Sequence, residues 1–389
     1  MNLVATSSQR TFDPLPCLFA ARALRDFGDS FVAILLPAYL LALGFTPLAV
    51  GVLATASLLG SACLTLGAGL MVASGLAFAA FRDYAVLLVV AFVGTINPSA
   101  GNVSVFVPLE HAALAREAGD QNRTRMFARY SLAGALAAAL GSLIAGAPEL
   151  TAPLGVNRLT AMRAMFVLYA LLGVVGRYLY TRLPRHAVDG KVARTSTLGP
   201  SRGIVMRLAA LFSLDAFAGG FVVQSLLALW LFQRFHLSLT AAGAFFFGTG
   251  LLAALSYPVA AQLSRRVGLV NTMVFTHIPS SIALMLAAFA PSLTSALAWL
   301  LVRAALSQMD VPTRSSYVMA VVTEPERSAA ASVTSVPRSL ASSASPALAG
   351  ALFAASSFAW PLVICGSLKI LYDLLLLAQF RHLRPPEEQ

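Results

Sequence analysis

Uncharged apolar stretches of 18 or more residues recur along the whole chain. Each is long enough to cross a hydrocarbon layer of roughly 30 Å as a helix. Inside lipid every backbone amide and carbonyl must find a partner within the protein, which leaves only helices or a closed barrel. The apolar runs are continuous rather than alternating, and that excludes the barrel. A soluble surface is excluded too, because only 11% of the 389 residues are charged, against about 25% in an ordinary soluble domain. The expected fold class is an all-α polytopic membrane protein.

The spans run over 18–43, 47–70, 71–81, 85–110, 126–147, 163–181, 204–231, 239–263, 268–289, 292–322, 328–355 and 359–380. The third is too short for a comfortable crossing. The longest polar interruption, 182–203, carries charge, Gly, Pro and Ser without a hydrophobic period, as a linker does. It predicts an N-terminal bundle over 1–183, a cytosolic linker over 184–203 and a C-terminal bundle over 204–389. If the spans alternate and both termini are cytosolic, eighteen Lys and Arg residues fall inside. Four, Arg82, Arg158, Arg163 and Arg234, fall outside, and five lie within spans. That asymmetry predicts a multi-pass protein of the cytoplasmic membrane with both ends inside. It also explains the net charge of +11 without nucleic acid as a partner. Residues 1–17 contain no apolar core of a signal peptide, so the first span is expected to direct insertion. Cys17, Cys63 and Cys365 are odd in number and far apart, which reads as packing, with a thiolate metal site as the alternative. No metal and no cofactor is expected.

The two halves resemble each other, as in transporters built from repeats. Leu43-Gly44-Phe45-Thr46 leads to Gly51, and Phe235-His236-Leu237-Ser238 leads to Gly243, an offset of 192. Farther on, Asn97-Pro98-Ser99 and Glu110 match Val311-Pro312-Thr313 and Glu324, an offset of 214. The 22-residue difference between these offsets says that the first half lacks a counterpart of about Leu263–Leu284. The second and third spans then form a shortened hairpin turning at Gly67 or Gly69.

Twelve spans, a six-plus-six pseudo-repeat and a polar central loop resemble the major facilitator superfamily over essentially the whole chain. Gln262-Leu263-Ser264-Arg265-Arg266-Val267-Gly268 resembles a worn copy of that family's Gly-x-x-x-Asp-Arg-x-Gly loop, without its acid. Where the better-kept copy is expected, Leu66-Gly67-Ala68-Gly69-Leu70-Met71 has no charge. The resemblance implies two pseudo-symmetric six-helix bundles around a central cavity lined by spans 1, 4, 7 and 10. It also implies that the loop is a cytosolic latch favouring the outward-open state, so its loss implies a chain leaning inward-open. The drug-antiporter signature is absent from 126–147, where Gly134 and Gly141 stand with no proline between them. Ser345-Pro346-Ala347-Leu348-Ala349-Gly350 resembles that signature in shape only.

Ionisable side chains in mid-membrane cost about 2.5–3.5 kcal/mol each on insertion scales and mark candidate sites. Span 1 holds Arg22, Arg25, Asp26 and Asp29, with Arg22–Asp26 and Arg25–Asp29 as i,i+4 pairs. They read either as a solvated helix end or as Asp26 or Asp29 facing the cavity. Span 10 holds Arg303, Gln308, Asp310 and Arg314 around Pro312, and span 4 holds Asn97, Pro98, Ser99 and Asn102. Two equivalent spans broken by proline, at Pro98 and Pro312, point to a binding site. Asp310 and Arg314, one turn apart, alternatively neutralise each other. Span 7 adds Asp215 and Gln224 beside Gly219 and Gly220. Lys369 and Asp373 read as a structural i,i+4 pair, His277 as a packing residue or a proton carrier, and Arg338 as an attractor of anionic substrate. The assignment is substrate or proton coupling for Asp26, Asp29, Asp215 and Asp310. Arg25, Asn97, Asn102, Gln224, Gln308, Arg314 and Arg338 are expected to line the cavity.

The resulting expectation is a proton-coupled exporter of a small molecule, a monomer whose partners are substrate, protons and lipid. No Gly-x-x-x-x-Gly-Lys loop suggests ATP. An uptake transporter, or a transport-impaired relic or scaffold suggested by the 22-residue deficit, is the alternative. An intramembrane enzyme would need a nucleophile with its base or a His-Glu-x-x-His set. Glu110-His111-Ala112-Ala113-Leu114 supplies neither.

Overall fold

A computed structural model describes residues 14–63, 69–94, 96–99, 123–182, 198–323, 326–356 and 358–381. Among the described residues the chain is helical, with no strand, and six helices are long and apolar enough to cross a membrane. In the first half these elements are α1 (Pro14–Ala42), α2 (Pro47–Cys63), α3 (Gly69–Ala80), α4 (Tyr84–Val93), α5 (Arg123–Ile144), the short α6 (Ala147–Leu150) and α7 (Arg158–Thr181). The second half contains α8 (Arg202–Gly220), α9 (Gln224–Phe235), α10 (Leu239–Val267), α11 (Leu269–Ala288), α12 (Leu293–Ser307), α13 (Asp310–Ala320), α14 (Arg327–Ala355) and α15 (Trp360–Phe380).

Most of the expected spans appear within a few residues, but the fourth, expected over 85–110, is helical over Tyr84–Val93 and its part from residue 100 onward lies outside the described residues, and two further spans are corrected. The seventh divides at 221–223 into α8 and α9, next to the weak helix formers Gly219 and Gly220. The tenth divides at 308–309, ahead of Asp310 rather than between Asp310 and Arg314. The proline ring clashes with the carbonyl four residues upstream, which for Pro312 is Gln308. Pro312 itself becomes the third residue of α13, where an amide would have no intrahelical acceptor. Asp310 in that first turn favours a new helix start. Pro98 obeys the same rule, because α4 is capped at Gly94, four residues before it. Proline alone does not dictate a stop, since Pro37, Pro258, Pro279, Pro337 and Pro346 lie inside continuous helices.

The hairpin of the first half is short. α2 and α3 have 17 and 12 residues, against 29 and 20 in α10 and α11. At 1.5 Å per residue α3 spans about 18 Å, well under the hydrocarbon thickness. The expected turn at Gly67 falls outside the described residues, and α3 starts at Gly69. α3 is held from the side. Tyr39 donates its hydroxyl to the Phe78 carbonyl at 2.9 Å, and Phe166 stacks on both Tyr39 and Phe78 with ring centroids 5.0 and 5.3 Å apart. Such aromatic pairs add about 0.5–1.5 kcal/mol each beyond burial. The opposite faces point outward, as Leu132, Leu136, Leu140 and Leu143 do on α5, an apolar stripe suited to lipid tails.

The halves meet along α2 with α14, α5 with α10, and α1 with α9. Glycine makes the first two approaches possible. A Cβ on Gly51 would meet the Pro346 carbonyl and come within 2.8 Å of the Gly350 Cα. A Cβ on Gly243 would lie 2.6 Å from the Ser142 carbonyl. These two glycines are the repeat equivalents in the sequence, and each lets its helix lie backbone against backbone on a helix of the other half. Close by, Ala347 N donates to Thr55 Oγ1 at 3.0 Å. The Glu149 carboxylate accepts from Leu239 N at 2.7 Å and Thr240 N at 2.9 Å, so an acid of the first half caps the amino end of α10. This end, bearing Pro47, Leu239 and Ala355, is sealed.

Candidate functional site

A cavity of about 780 Å³ lies between the two halves and is lined by residues of both, within the size range of small-molecule sites. Its inner limit is where two broken spans meet. Ser225, the second residue of α9, has no intrahelical acceptor for its amide and donates to the Pro98 carbonyl at 3.1 Å. Beside it Gln224 Nε2 donates to the Ser30 carbonyl at 3.4 Å, and the Ser30 and Ser142 hydroxyls are 2.7 Å apart. Among the described residues, hydrogen bonds between the halves gather here and nearer the sealed end. Toward the opposite end Tyr130 of α5 and Tyr257 of α10 line the cavity.

The wall from the second half carries a buried ion network. Asp215 of α8 accepts from Lys369 Nζ at 2.6 Å with one carboxylate oxygen and from Arg314 Nη1 at 2.9 Å with the other. Arg314 reaches Asp310, one turn earlier on α13, with Nη2 at 2.9 Å. His277 of α11 stands between two acids, with Nδ1 3.1 Å from both oxygens of Asp373 and Nε2 3.9 Å from Asp215. Lys369 Nζ is 3.3 Å from His277 Nε2. A neutral ring protonated at Nδ1 donates to Asp373 and accepts from Lys369, which satisfies both contacts. Asp215, Asp310, Arg314, His277 and Asp373 are all buried. A carboxylate can remain ionised there only because it is paired and hydrogen-bonded.

The wall from the first half is simpler. Arg22 Nε lies 2.5 Å from Asp26, the expected i,i+4 pair, and both line the cavity. The expected Arg25–Asp29 pair is corrected. Asp29 is buried between α1 and α7 and accepts from the Tyr169 hydroxyl at 2.9 Å, while Arg25 Nε lies 3.8 Å from Asp26. Neither Asp29 nor Arg25 is among the residues lining the cavity, and Asp29 is drawn to Tyr169 of α7 instead. Asn97 is also behind the wall, its Oδ1 accepting from Ser99 N at 2.9 Å. Asn102 lies outside the described residues. Gln224, Gln308, Arg314 and Arg338 line the cavity, as do Asp26, Asp215 and Asp310.

A further correction concerns α15. Lys369 and Asp373 are not each other's partners. Lys369 turns to Asp215 and lines the cavity, and Asp373 takes His277. The reading from the sequence missed this cross-helix network. Its signal was a lysine and an aspartate in one apolar span, Lys369 and Asp373, with Asp215 and His277 inside two others. Cys17 and Cys365 are buried thiols, and among the described residues no group of three His, Cys, Asp or Glu side chains is arranged for a metal ion.

A family model described as Major Facilitator Superfamily matches residues 18–302 and 208–389 in two overlapping stretches. The chain belongs to the Major Facilitator Superfamily. It is 25% identical over 354 residues to an uncharacterized membrane protein of Saccharomyces cerevisiae, covering 82% of this chain and 79% of that one. Among solved structures, a variant of the nucleoside transporter NupG superposes with a TM-score of 0.70 at 13% identity, covering 95% of this chain and all of the other. The human organic anion transporter MFSD10 superposes with a TM-score of 0.62 at 20% identity, covering 93% and 98%. Both solved proteins are transporters rather than enzymes. At these identities the likeness is one of fold, that of a multi-pass membrane protein.

Proposed function

We propose that this chain is a proton-coupled secondary transporter of a small molecule in the cytoplasmic membrane, working in export. Two six-helix bundles, over 1–183 and 204–389 with a cytosolic linker over 184–203, rock about the cavity. The equivalent seats of Gly51 and Gly243 support the pseudo-symmetric pairing of bundles. The open end carries Arg129, Arg265 and Arg266, so the positive-inside rule turns it to the cytosol. The cavity then loads from the cytosol, where an exported solute resides.

The observation that carries proton coupling is the network around Asp215. Asp215, Asp310 and Asp373 oppose Arg314 and Lys369, with His277 between them. Counted without the neighbouring Arg338 and with histidine neutral, these side chains sum to one negative charge, so the histidine has a carboxylate on each side to stabilise one added proton. A buried group with that imbalance takes up a proton when water reaches it and releases it when its partners close. Asp310 and Asp26, on the facing walls, complete the candidate coupling set.

The test uses purified protein in liposomes with an imposed pH gradient, offered a panel of organic anions, cations and neutral solutes. Wild type is expected to accumulate at least one class against its gradient, and Asp215→Asn to retain exchange at equal pH while losing gradient-driven accumulation. Accumulation by Asp215→Asn at the wild-type rate overturns the coupling role.

A further inference from the structure

The charges on the cavity wall do not cancel. Five permanent cations and three carboxylates line it. Arg22 is used by Asp26, while Arg314 and Lys369 are used by Asp215 and Asp310. Two cations remain. Arg303 of α12 and Arg338 of α14 both line the cavity, and among the described residues neither has a carboxylate within 4 Å, although Arg338 stands in the wider field of Asp215 and Asp310. Arginine within a membrane span is costly to insert and survives where a partner or a function uses it. Arg303 is half-buried and Arg338 is exposed to the cavity, so both guanidinium groups are reachable by a solute.

Their surroundings suit an anion. Ser307 and Gln308 follow Arg303, and Ser339 follows Arg338 on the cavity-lining face of α14, adding neutral polar groups, while the Ser335 and Ser342 hydroxyls donate to the Ser332 and Ser339 carbonyls of their own helix. A guanidinium binds carboxylate, sulfonate or phosphate oxygens through two parallel N–H donors. Part of the remaining wall is apolar. Phe245 and Phe246 of α10 stack edge to face at 5.1 Å and line the cavity with Leu227, Leu284 and Leu300. A volume of about 780 Å³ exceeds what an inorganic ion needs and fits a drug-sized organic molecule.

We infer that the solute is a small organic anion whose acidic group sits at Arg303 and Arg338 and whose apolar body lies against Phe245 and Phe246. This rests on the reading of the cavity as a transport site and names its substrate class. The paired charges around Asp215 are then free for coupling, and the unpaired arginines are completed by the solute itself.

Equilibrium binding separates this inference from transport. Fluorescence polarisation of carboxyfluorescein, an anion, and of tetramethylrhodamine ethyl ester, a cation with the same ring system, is measured on purified full-length protein in detergent. The wild type is expected to bind the anion more tightly than the cation. Arg303→Gln and Arg338→Gln should each weaken anion binding roughly tenfold, the loss of one charge-assisted contact. Arg303→Lys combined with Arg338→Lys keeps both charges and should recover part of the binding in a protein that elutes as wild type does. Equal affinity for the two dyes overturns the inference. So does anion binding no better in wild type than in the double Gln variant, absence of binding included. If the anion binds as expected but no liposome assay detects transport, the inference stands and the transporter reading falls.

Discussion

The sealed end and the open end of the molecule are held by opposite kinds of contact. At the sealed end helices touch through backbone, with Gly51 against Pro346 and Gly350, and Gly243 against Ser142. Around the cavity charged side chains line the wall, many of them buried, and pair within their own half. Backbone contacts between small residues have short range and are either made or lost. Ion pairs act over longer distances and change with protonation. The difference suggests a division of labour, in which the glycine seats define two discrete states and the charges decide between them.

Removing the hub of the open-end network has the largest expected effect. Asp215→Ala strands Lys369 and Arg314 in a buried wall and should cost about 3–5 kcal/mol, read by unfolding in mixed micelles. A change near zero would mean that water in the cavity already screens these groups. Gly51→Leu attacks the other end. Its side chain meets backbone that cannot move aside, so the helices must part, at about 1–3 kcal/mol. The expected readout is a sealed end open to thiol reagents in single-cysteine variants, with the Asp215 network intact. Gly243→Leu should do the same, and a difference between the two would break the equivalence of the repeats.

Glu149→Gln is a milder test of the sealed end. It keeps one acceptor oxygen, for Leu239 or Thr240 but not both, and removes the negative charge at the α10 amino end, which is worth about 0.3–1 kcal/mol. Faster hydrogen exchange over 239–242 is expected, without loss of the fold. The smallest effect concerns the tether of the linker. Glu326 is hydrogen-bonded by Ser201 and Thr323 and by the Gly199 amide, which hold its carboxyl down to about 2. A depressed carboxylate contributes above its ordinary range and loses that contribution as pH falls toward the folded value. Protease sensitivity near 198–201 should therefore rise as the pH drops through the ordinary carboxylate range toward about 2, and Glu326→Gln should show the raised sensitivity at neutral pH.

Much of the fold was legible because hydrophobic length is a local property. Most span limits and the shortness of α2 and α3 followed from runs and offsets. The glycine matched across the repeats, Gly51 with Gly243, turned out to mark equivalent backbone seats. The site was legible in its membership more than in its pairings. Asp215, Asp310, Gln308, Arg314 and Arg338 were identifiable as polar groups in apolar spans, but which acid meets which base depends on tertiary placement. The i,i+4 rule gave Arg22–Asp26 correctly and failed for Lys369–Asp373, where Asp215 on another helix competes successfully. It likewise missed that Asp29 turns to Tyr169. The proline reading located the breaks but not their position, because the clash falls on the carbonyl four residues earlier. Pro312→Ala should consequently change little, since position three of α13 has no intrahelical bond to restore.

Alternation between the two ends is tested most directly by paired distances from spin labels in liposomes. One pair joins the halves at the open end, at Arg129→Cys and Arg265→Cys, and one at the sealed end, at Leu48→Cys and Ala351→Cys, all exposed positions. At rest the first distance should be long and the second short. Lowering the pH on the sealed side should shift both distributions in opposite senses, and Asp215→Asn should abolish that shift. Distances that move together, or that ignore pH in the wild type, would contradict a cavity that opens to one side at a time under control of the Asp215 network.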